Sequence, residues 1–328
     1  MKRILGMGNA LVDILIRLEN DGILEILGLP KGSMQLVEAD RSQQVLEALK
    51  GYKRSLSAGG SAANTIHGLA KLGAPVGYIG VIGEDELGGS FVMDMINAGV
   101  EPHMIHSIRE TGRAVGLITP DSERTFATFL GAAIELMSDH LNSEVFKKYD
   151  YFHIEGYLVQ NHKLIERAVM LAKENNLMVS LDLSSYNIVE ANLEFLQEII
   201  RKYVDIVFAN EEEARAFTGL EPYNAVVEIS KKCKIAVVKT GPKGSLIQSK
   251  DELTEIEAIQ VTPVDTTGAG DLYAAGFLYG HSRGMNLKDC GDIGALMAGN
   301  VIEVMGSKMT DTQWGKIFRH LEVKENIS

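Results

Sequence analysis

The feature that most constrains this chain is an alternation of short apolar segments with longer segments of helical periodicity. The apolar segments are predicted to be buried strands at Arg3–Met7, Val76–Val81, Tyr151–His153, Met178–Leu183, Ile206–Ala209 and Ile235–Lys239. Between them, apolar residues recur at three- and four-residue spacing, as in Ala62–Leu72, Leu164–Asn175 and Leu193–Tyr203. Continuously apolar strands that alternate with helices indicate an α/β fold with three layers, in which helices cover both faces of a mostly parallel central sheet.

Three segments in the first half of the chain follow a different pattern. Leu11–Arg17, Ser33–Val37 and Arg113–Leu130 alternate apolar and polar residues, which is typical of half-exposed antiparallel strands. We predict that they form a small β flap, or lid, against the ligand edge of the sheet. No linker, low-complexity tract or internal repeat divides the sequence, so we predict a single domain over residues 1–328.

The charge balance limits the classes of partner. A net charge of −12 argues against nucleic acid and against anionic membranes, both of which favour basic surfaces. No segment approaches the ~20 apolar residues of a membrane span. Phosphate ligands are still allowed, because backbone N–H groups at a helix start can bind them. Cys233 and Cys290 match no metal or redox spacing, which favours two reduced thiols and a cytoplasmic protein.

The most informative segment is Asp265–Asp271, Asp-Thr-Thr-Gly-Ala-Gly-Asp, which precedes an apparent helix. Gly268, Ala269 and Gly270 have little or no side chain, so a ligand can approach their amides closely. At a helix start, those amides and the positive end of the helix dipole would face the ligand together. The segment therefore predicts a pocket for negative charge, such as that of a phosphoryl group in transfer.

Asp271 directly follows this turn. A carboxylate there could accept the proton of an attacking hydroxyl, as a positioned carboxylate does in other kinases. The alternative is that Asp271 only caps the helix. Capping alone explains none of the three small residues before it, so we predict that Asp271 is a catalytic base.

Two other phosphate-binding motifs are incomplete. The chain has no GxxxxGK[ST] sequence, and Gly241–Ser245 is too short for a P-loop. Gly6 and Gly8 follow a predicted strand, but Leu11 stands where a dinucleotide fingerprint needs its third glycine. An NAD-dependent dehydrogenase is therefore a weak alternative.

The motifs together resemble the PfkB (ribokinase-like) family of carbohydrate and nucleoside kinases. Asp265–Asp271 is similar to the carboxy-terminal signature of that family, and Ala58–Asn64 is similar to its amino-terminal signature. Gly80–Gly88, Asn210–Glu213 and Lys239–Gly244 resemble three further family motifs, in the family's order. The resemblance implies a ribokinase-like fold and an ATP-dependent kinase, with Asp271 as the base and Gly268, Ala269 and Gly270 as the anion hole.

The resemblance also implies where the small-molecule substrate binds. Its hydroxyls would be held by Asp13, Gly59, Gly60 and Asn64. Carboxylate and amide groups suit this task, because they can fix several hydroxyl groups at once. Taken without the resemblance, Asp13 would be a solvated charge at a strand end and Asn64 a helix cap.

Further residues are implied to hold the nucleotide and cations. Asn210 and Glu213 would organise Mg²⁺ through water, with a solvated helix start as the alternative. Asp265 and Thr267 resemble the edge of the family's site for a monovalent cation such as K⁺, and a loop-stabilising aspartate is the alternative. The residues implied to lie along ATP are Thr240, Gly241, Gly244 and Asn300.

The acceptor is less closely defined. Gly8–Asp13, Lys31–Val37 and Glu123–Ala132 resemble adenosine-kinase-like members, and bacterial sugar kinases share parts of these strings. Phe126 or Phe129 could stack on a nucleobase, or pack in the flap core. We therefore expect a primary hydroxyl of a sugar or ribonucleoside such as adenosine, ribose or fructose. A non-catalytic binding regulator remains an alternative, and a homodimer is compatible with either function.

Overall fold

The computed structural model describes residues 1–121 and 123–325. The strands of this part of the chain fall into two sheets. In chain order they are β1 (Ile4–Met7), β2 (Leu11–Arg17), β3 (Met34–Leu36), β4 (Arg54–Gly59), β5 (Val76–Gly83), β6 (Val100–Ser107), β7 (Gly112–Ile118), β8 (Arg124–Phe129), β9 (Tyr151–Glu155), β10 (Met178–Asp182), β11 (Ile206–Asn210), β12 (Ile235–Lys239), β13 (Ser245–Ser249) and β14 (Glu252–Ile256).

The α-helices alternate with these strands through most of the chain. They are α1 (Gly22–Ile26), α2 (Ala39–Ala48), α3 (Ser61–Lys71), α4 (Glu86–Ala98), α5 (Ser143–Phe146), α6 (His162–Glu174), α7 (Tyr186–Ala191), α8 (Leu193–Tyr203), α9 (Glu211–Thr218), α10 (Pro222–Ser230), α11 (Ala269–Ser282), α12 (Leu287–Val301) and α13 (Asp311–Glu325). Short 3₁₀ turns lie at Gly131–Glu135, Ser138–His140, Gly156–Gln160 and Gly241–Lys243.

The central sheet has nine strands in the order β14-β13-β12-β11-β10-β9-β1-β5-β6. Neighbouring strands from β12 to β6 are parallel, and the hairpin strands β13 and β14 add antiparallel pairs at one edge. Helices pack on both faces. The predicted three-layer α/β fold with a mostly parallel sheet is confirmed.

Two apolar cores lie on opposite faces of this sheet. Alternate residues of one strand enter different cores. Val207 belongs to the core that contains residues of α6, α8, α9 and α10, and Phe208 belongs to the core that contains residues of α3, α11 and α12. Both side chains are fully buried. This burial on two faces explains why the strands are apolar at successive positions and not only at every second one.

Three parallel strands in the middle of the sheet end in polar residues. The last residues of β10, β11 and β12 are Asp182, Asn210 and Lys239, and Asn210 pairs with Lys239 in the register of the sheet. The carboxyl ends of parallel strands meet at one edge, where ligands bind in open α/β sheets. The three side chains therefore share that edge.

The second sheet has five strands in the order β3-β8-β7-β2-β4, and is called the flap sheet here. The predicted segments 11–17, 33–37 and 113–130 contain four of its strands, and β4 is the fifth. The prediction that these strands are antiparallel is wrong for two pairings, because β2 pairs with β7 and β3 pairs with β8 in parallel. Residue 122 of the predicted flap and residues 326–328 of the predicted domain lie outside the described residues.

The first strand leads into the flap sheet and not into a helix. β1 contains Gly6, and Gly8 follows it before β2 begins. A side chain at Gly8 would meet the Glu155 carboxylate at 2.3 Å, so this glycine serves close packing. The strand–turn–helix unit that a dinucleotide fingerprint requires is missing at this position. Within residues 1–121 and 123–325, no helix combines the length and the hydropathy of a membrane span.

Candidate active site

Asp271 lies in the first turn of α11, where its carboxylate faces α3. Oδ1 of Asp271 accepts a 2.7 Å hydrogen bond from Ser61 Oγ, and Oδ2 accepts a 3.0 Å bond from Asn64 Nδ2. Ser307 Oγ donates to Oδ1 of Asn64 at 2.8 Å, which orients that amide. Gly268 is the N-cap residue of α11 and makes no side-chain cap. The carboxylate thus binds a neighbouring helix, and the capping alternative does not describe it.

The surroundings of Asp271 change its acidity. Burial raises the pKa of Asp271 from 3.8 to about 6, although the hydrogen bonds from Ser61 and Asn64 lower it. The Asp182 carboxylate raises the pKa further, and the Lys239 ammonium lowers it. A carboxyl group with this pKa is ionised near neutral pH and is a better proton acceptor than a solvated aspartate.

The backbone at the start of α11 leaves several amides open. Gly268 has a φ of 73°, a left-handed conformation that favours glycine. The Ala269 amide donates to the Thr266 carbonyl at 3.2 Å, so it is partly used by the turn. The amides of Gly268, Gly270 and Asp271 make no hydrogen bond to other described residues. Free amides at a helix start can bind an anion, and in this turn the Asp271 amide is free whereas the predicted Ala269 amide is partly used.

A central cavity of about 590 Å³ opens beside Asp271. It contains three of the predicted substrate residues, Asp13, Gly60 and Asn64. Gly60 has a φ of 100°, and a Cβ there would lie 2.1 Å from the Asn9 carbonyl oxygen. Gly59 does not line the cavity; it leaves space for the Asp13 carboxylate, which a Cβ would meet at 2.3 Å.

Asp13 faces the cavity from β2 of the flap sheet. Burial raises its pKa to about 6, whereas the positive charge of Lys308 lowers it and the charge of Asp271 raises it. Nζ of Lys308 is buried and has no hydrogen-bond partner among the described residues. Burial lowers the pKa of Lys308 to about 8, against the opposing effects of Asp94, Asp13 and Asp271. An ammonium ion behind Asp13 therefore favours the charged form of this carboxylate.

Lys239 lies at the carboxyl end of β12, where it pairs with the Asp182 carboxylate. Its Nζ donates a 2.8 Å hydrogen bond to Oδ2 of Asp182, and the two side chains are 15% and 6% exposed. Burial disfavours the ammonium, but Asp182, Glu213 and Asp271 raise the pKa of Lys239 above its ordinary value. Lys239 therefore carries a positive charge at the wall of the central cavity.

Asn210 and Glu213 bind each other at the start of α9. Both Glu213 carboxylate oxygens accept 2.8 Å bonds from Asn210, one from its backbone N–H and one from its Nδ2. Glu213 N–H donates back to Asn210 Oδ1 at 2.8 Å, which completes a capping box. Burial raises the pKa of Glu213 to about 7, with a further rise from Asp182. Among the described residues, no group of three His, Cys, Asp or Glu could hold a metal ion by itself.

Asp265 and Thr267 surround a guanidinium group from the flap. Oδ1 of Asp265 accepts a 2.6 Å bond from the Thr267 amide, and Oδ2 accepts a 2.6 Å bond from the Gly306 amide. Arg124 of β8 forms an ion pair with Asp265 and a hydrogen bond with Oγ1 of Thr267. Asp265 thus orders the loop before the free amides, and Arg124 places positive charge beside it.

A second cavity of about 420 Å³, the distal cavity, adjoins the central one. Gly241 and Gly244 line it, together with apolar residues from α12 and from the loop after β14. Thr240 does not line it; its amide donates to the Gly244 carbonyl at 2.8 Å and closes the turn. Asn300 also lies outside, because its Nδ2 donates to the Leu296 carbonyl of its own helix at 2.8 Å. The neighbouring Gly299 supplies the wall at this point.

A third cavity of about 540 Å³, the lid cavity, lies under the flap sheet and shares three residues with the central cavity. Its apolar wall comprises Leu11, Met34, Leu36, Ala114, Leu130, Ala133, Ile134, Leu136, Leu158, Leu164 and Ile188. Phe126 lines the central cavity, whereas Phe129 is 6% exposed and lies beneath the Arg113 guanidinium. Of the two candidate stacking residues, only Phe126 can therefore meet a ligand.

Several residues of the site were not predicted from the sequence. Lys239 ends a predicted strand and Asp182 is the last residue but one of another, so the rule that ligands bind at strand ends could have identified them. Ser61 lies inside the Ala58–Asn64 segment and could have been added in the same way. Arg124 and Lys308 come from distant segments, and no local pattern marks either of them.

This arrangement has room for a phosphate donor on one side of the α11 start and for an alcohol on the other. The class of protein that it defines is an enzyme that transfers a phosphoryl group to a hydroxyl of a small molecule. Residues 33–313 match the family described as pfkB family carbohydrate kinase, and the chain belongs to this family. The predicted enzyme class is confirmed, and the dehydrogenase and non-catalytic alternatives are not supported.

Individual relatives agree in both sequence and structure. A nucleoside kinase of Methanocaldococcus jannaschii is 30% identical, over 87% of this chain and 90% of the relative. The solved structure of a probable sugar kinase from Rhizobium etli has a TM-score of 0.88 and 33% identity, covering 97% of this chain and 98% of the other. The adenosine kinase of Sinorhizobium meliloti has a TM-score of 0.87 and 33% identity, covering 97% and 99%. The chain is a kinase of sugars or nucleosides.

Proposed function

We propose that this enzyme transfers the γ-phosphoryl group of ATP to a primary hydroxyl of a ribonucleoside or sugar, with Asp271 as the base. The observation that carries the proposal is the position of Asp271 beside the free amides of Gly268 and Gly270. The distal cavity would hold the nucleoside of ATP, since glycines and apolar residues suit a flat base. The central cavity would hold the acceptor, with its hydroxyls on Asp13 and Asn64.

In the proposed reaction, the acceptor hydroxyl gives its proton to Asp271 as its oxygen bonds to the γ-phosphorus. The bond from that phosphorus to the bridging oxygen breaks, and its electron pair leaves with ADP. Amides at the start of α11 stabilise the charge on the equatorial oxygens, and one such donor is typically worth about 2.7–4 kcal/mol. Arg124 holds the flap against the same loop, which would exclude water from the transfer.

Cations would support the phosphates. When Mg²⁺ is bound, it neutralises charge on the phosphate oxygens, and Asn210 and Glu213 would orient its water ligands. Contact through water fits the structure, because each residue already satisfies the side chain of the other. A monovalent cation at Asp265 and Thr267 stays a prediction; Arg124 already supplies positive charge there, which favours the loop-stabilising alternative.

The lid cavity supports a ribonucleoside as the acceptor. A simple sugar exposes hydroxyls on all sides, and apolar walls such as those of Met34 and Leu36 would leave them without partners. A nucleobase carried on ribose could occupy this space and stack near Phe126. Relatives named adenosine kinase, such as that of Saccharomyces cerevisiae at 29% identity, make adenosine the first compound to test.

The decisive experiment is a Mg²⁺-dependent ADP-release screen with adenosine, other nucleosides, ribose and fructose. We expect stoichiometric ADP release with a nucleoside and none without an acceptor. Release with a sugar alone would overturn the nucleoside assignment. Acceptor binding without ATP consumption across the panel would overturn the proposed reaction. A cytoplasmic location, a homodimer and a single domain over residues 1–328 stay predictions that this screen does not address.

A further inference from the structure

The central and distal cavities meet at a shared wall. Four residues line both of them, Lys239, Gly241, Ala269 and Gly270. Lys239 is the one lysine or arginine among the described residues that line either cavity. Lys239 therefore lies at the junction of the two cavities, beside any group that spans both.

The structure holds the Lys239 ammonium in one place. Its partner Asp182 is fixed in turn, because Oδ1 of Asp182 accepts a 2.8 Å bond from the Ser184 amide while Oδ2 binds Lys239. An ammonium ion has three N–H donors, and the bond to Asp182 uses one of them. Two donors of Lys239 are left for a ligand.

The ammonium also lies against the first turn of α11. A Cβ built on Gly270 would be 2.9 Å from Nζ of Lys239. The free amides of Gly270 and Asp271 belong to that same turn. The Gly270 and Asp271 amides and the Lys239 ammonium therefore border the same small space. An anion placed there could accept hydrogen bonds from both kinds of donor.

The charges around the central cavity indicate a function for the Lys239 ammonium. Six carboxylates line the central cavity, those of Asp13, Asp182, Glu211, Glu212, Glu213 and Asp271. A triphosphate that enters such a site needs fixed positive charge where its γ-phosphate lies. Asp182, Glu213 and Asp271 raise the pKa of Lys239, so the ammonium stays charged even though it is buried.

We propose that Lys239 is a catalytic residue that donates hydrogen bonds to the phosphoryl group as it moves from the distal to the central cavity. The inference rests on the proposed function and adds a residue to it. The acceptor oxygen bonds to phosphorus and its proton goes to Asp271, while the bridging oxygen leaves with ADP. Lys239 stabilises the charge on the moving group without a change in its own protonation, and Asp182 positions it.

Site-directed variants can separate this role from a purely structural ion pair. Lys239→Met would leave the Asp182 carboxylate buried without its partner, so Lys239→Met combined with Asp182→Asn is the variant expected to keep the fold. Lys173→Met is the matched control, because Lys173 also pairs with a buried aspartate, Asp205, away from the cavities. Lys239→Arg tests whether positive charge alone restores function.

We expect Lys239→Met and the double variant to lower kcat about 10²-fold or more, while the KM for the acceptor changes little. Lys239→Arg should recover part of the loss, and Lys173→Met should behave as wild type. By calorimetry, wild type should bind a non-hydrolysable ATP analogue more tightly than ADP, and the double variant should lose that difference.

Two results would overturn the role of Lys239 while leaving the proposed function intact. They are a kcat near that of wild type in a folded Lys239→Met or double variant, and an unchanged preference for the triphosphate. A wild-type protein that binds no adenine nucleotide would overturn both proposals together. A wild-type protein that binds the triphosphate through Lys239 but phosphorylates no acceptor would overturn the proposed function and the catalytic role, and leave Lys239 as a binding residue.

Discussion

Ser61 Oγ lies 2.7 Å from Oδ1 of Asp271, so the amino-terminal glycine-rich segment holds the carboxylate of the carboxy-terminal one. The two residues are 210 positions apart in the chain. The hydrogen bond favours the charged form of Asp271 and opposes the effect of burial on its pKa. The basicity of Asp271 is therefore set jointly by α3 and α11.

Ser61→Ala should raise the pKa of Asp271 above about 6, because the charged form loses a donor. Activity that requires ionised Asp271 is lost as pH falls through this pKa, so the acid limb of the kcat–pH profile should move up by about one unit. Thr65→Ala is the control, since Thr65 binds the Asp271 backbone carbonyl and not the carboxylate. Equal shifts in both variants would contradict the assignment.

Asp271→Asn should lower kcat at least ~10²-fold, because the amide cannot accept the hydroxyl proton. Its size changes little, but one oxygen that accepts from Ser61 or Asn64 becomes an NH2 group that cannot accept, so we expect a fall in the free energy of unfolding of about 1–3 kcal/mol and a variant that still folds. Steady-state ADP release and thermal denaturation measure the two quantities. Near-normal turnover in the folded variant would remove Asp271 from the role of base.

Lys308→Met should weaken acceptor binding in a pH-dependent way. Without the ammonium, the pKa of Asp13 rises above about 6, and more of this carboxyl is protonated at pH 6–7. The KM for the acceptor should therefore rise most at low pH and approach that of wild type above pH 8, where Lys308 itself loses its proton. Lys316→Met, at a surface pair, is the control. A loss of kcat with no change in KM at any pH would be evidence against this role.

Arg124→Met should destabilise the enzyme, because it leaves Asp265, whose side chain is 1% exposed, without a positive partner. Removal of one partner of a buried ion pair typically costs about 3–5 kcal/mol in the free energy of unfolding. Urea denaturation should show this loss, and Arg124→Met combined with Asp265→Asn should recover much of it. Arg17→Met, on the exposed end of β2, should have little effect. A double variant no more stable than the single one would argue that the charge of Asp265 is not the cause.

Gly244→Ala should also lower stability. Its φ is 97°, and a Cβ would lie 1.8 Å from the Ile256 carbonyl oxygen, so the strand hairpin beside the distal cavity must shift. Gly284 has a φ of 78°, but a Cβ built there would have no atom within 4 Å. The loss of stability in Gly284→Ala therefore measures the backbone strain alone, about 1–3 kcal/mol. The melting temperature of Gly244→Ala should fall well below that of Gly284→Ala. Equal melting temperatures would show that the hairpin relaxes without cost.

The sequence predicted the parts of the fold whose signals are local. Six parallel strands of the central sheet, β1, β5, β9, β10, β11 and β12, were predicted because burial on both faces makes them continuously apolar. β6 was missed because Glu101, Pro102 and His103 interrupt its apolar pattern at a sheet edge, where one side is open. β4 was missed because its burial begins only at Ala58.

The residues of the candidate site that lie in glycine-rich motifs could be predicted from the sequence. Those that come from other segments could not be predicted as well. Arg124 contacts Asp265 only because the flap packs against the loop. The two residues are far apart in the chain, so no short sequence pattern predicts this contact. Asn300 was placed near the nucleotide by resemblance, yet its side chain binds its own helix and Gly299 lines the cavity. Whether a helix residue lines the cavity depends on which face of the helix is turned to it. Neighbouring residues differ by roughly a quarter turn around the helix, so an error of one residue selects a different face.

The wall that the central and distal cavities share is formed by Lys239, Gly241, Ala269 and Gly270. A compound that joins an adenine nucleotide to an acceptor through a short phosphate tether could occupy both cavities, with the tether beside Lys239 and the Gly270 amide. Joining two ligands makes the second contact intramolecular, which can multiply affinity by about 10²–10⁴ when the tether fits the span. Inhibitors of this two-headed design would therefore bind the enzyme much more tightly than either half alone.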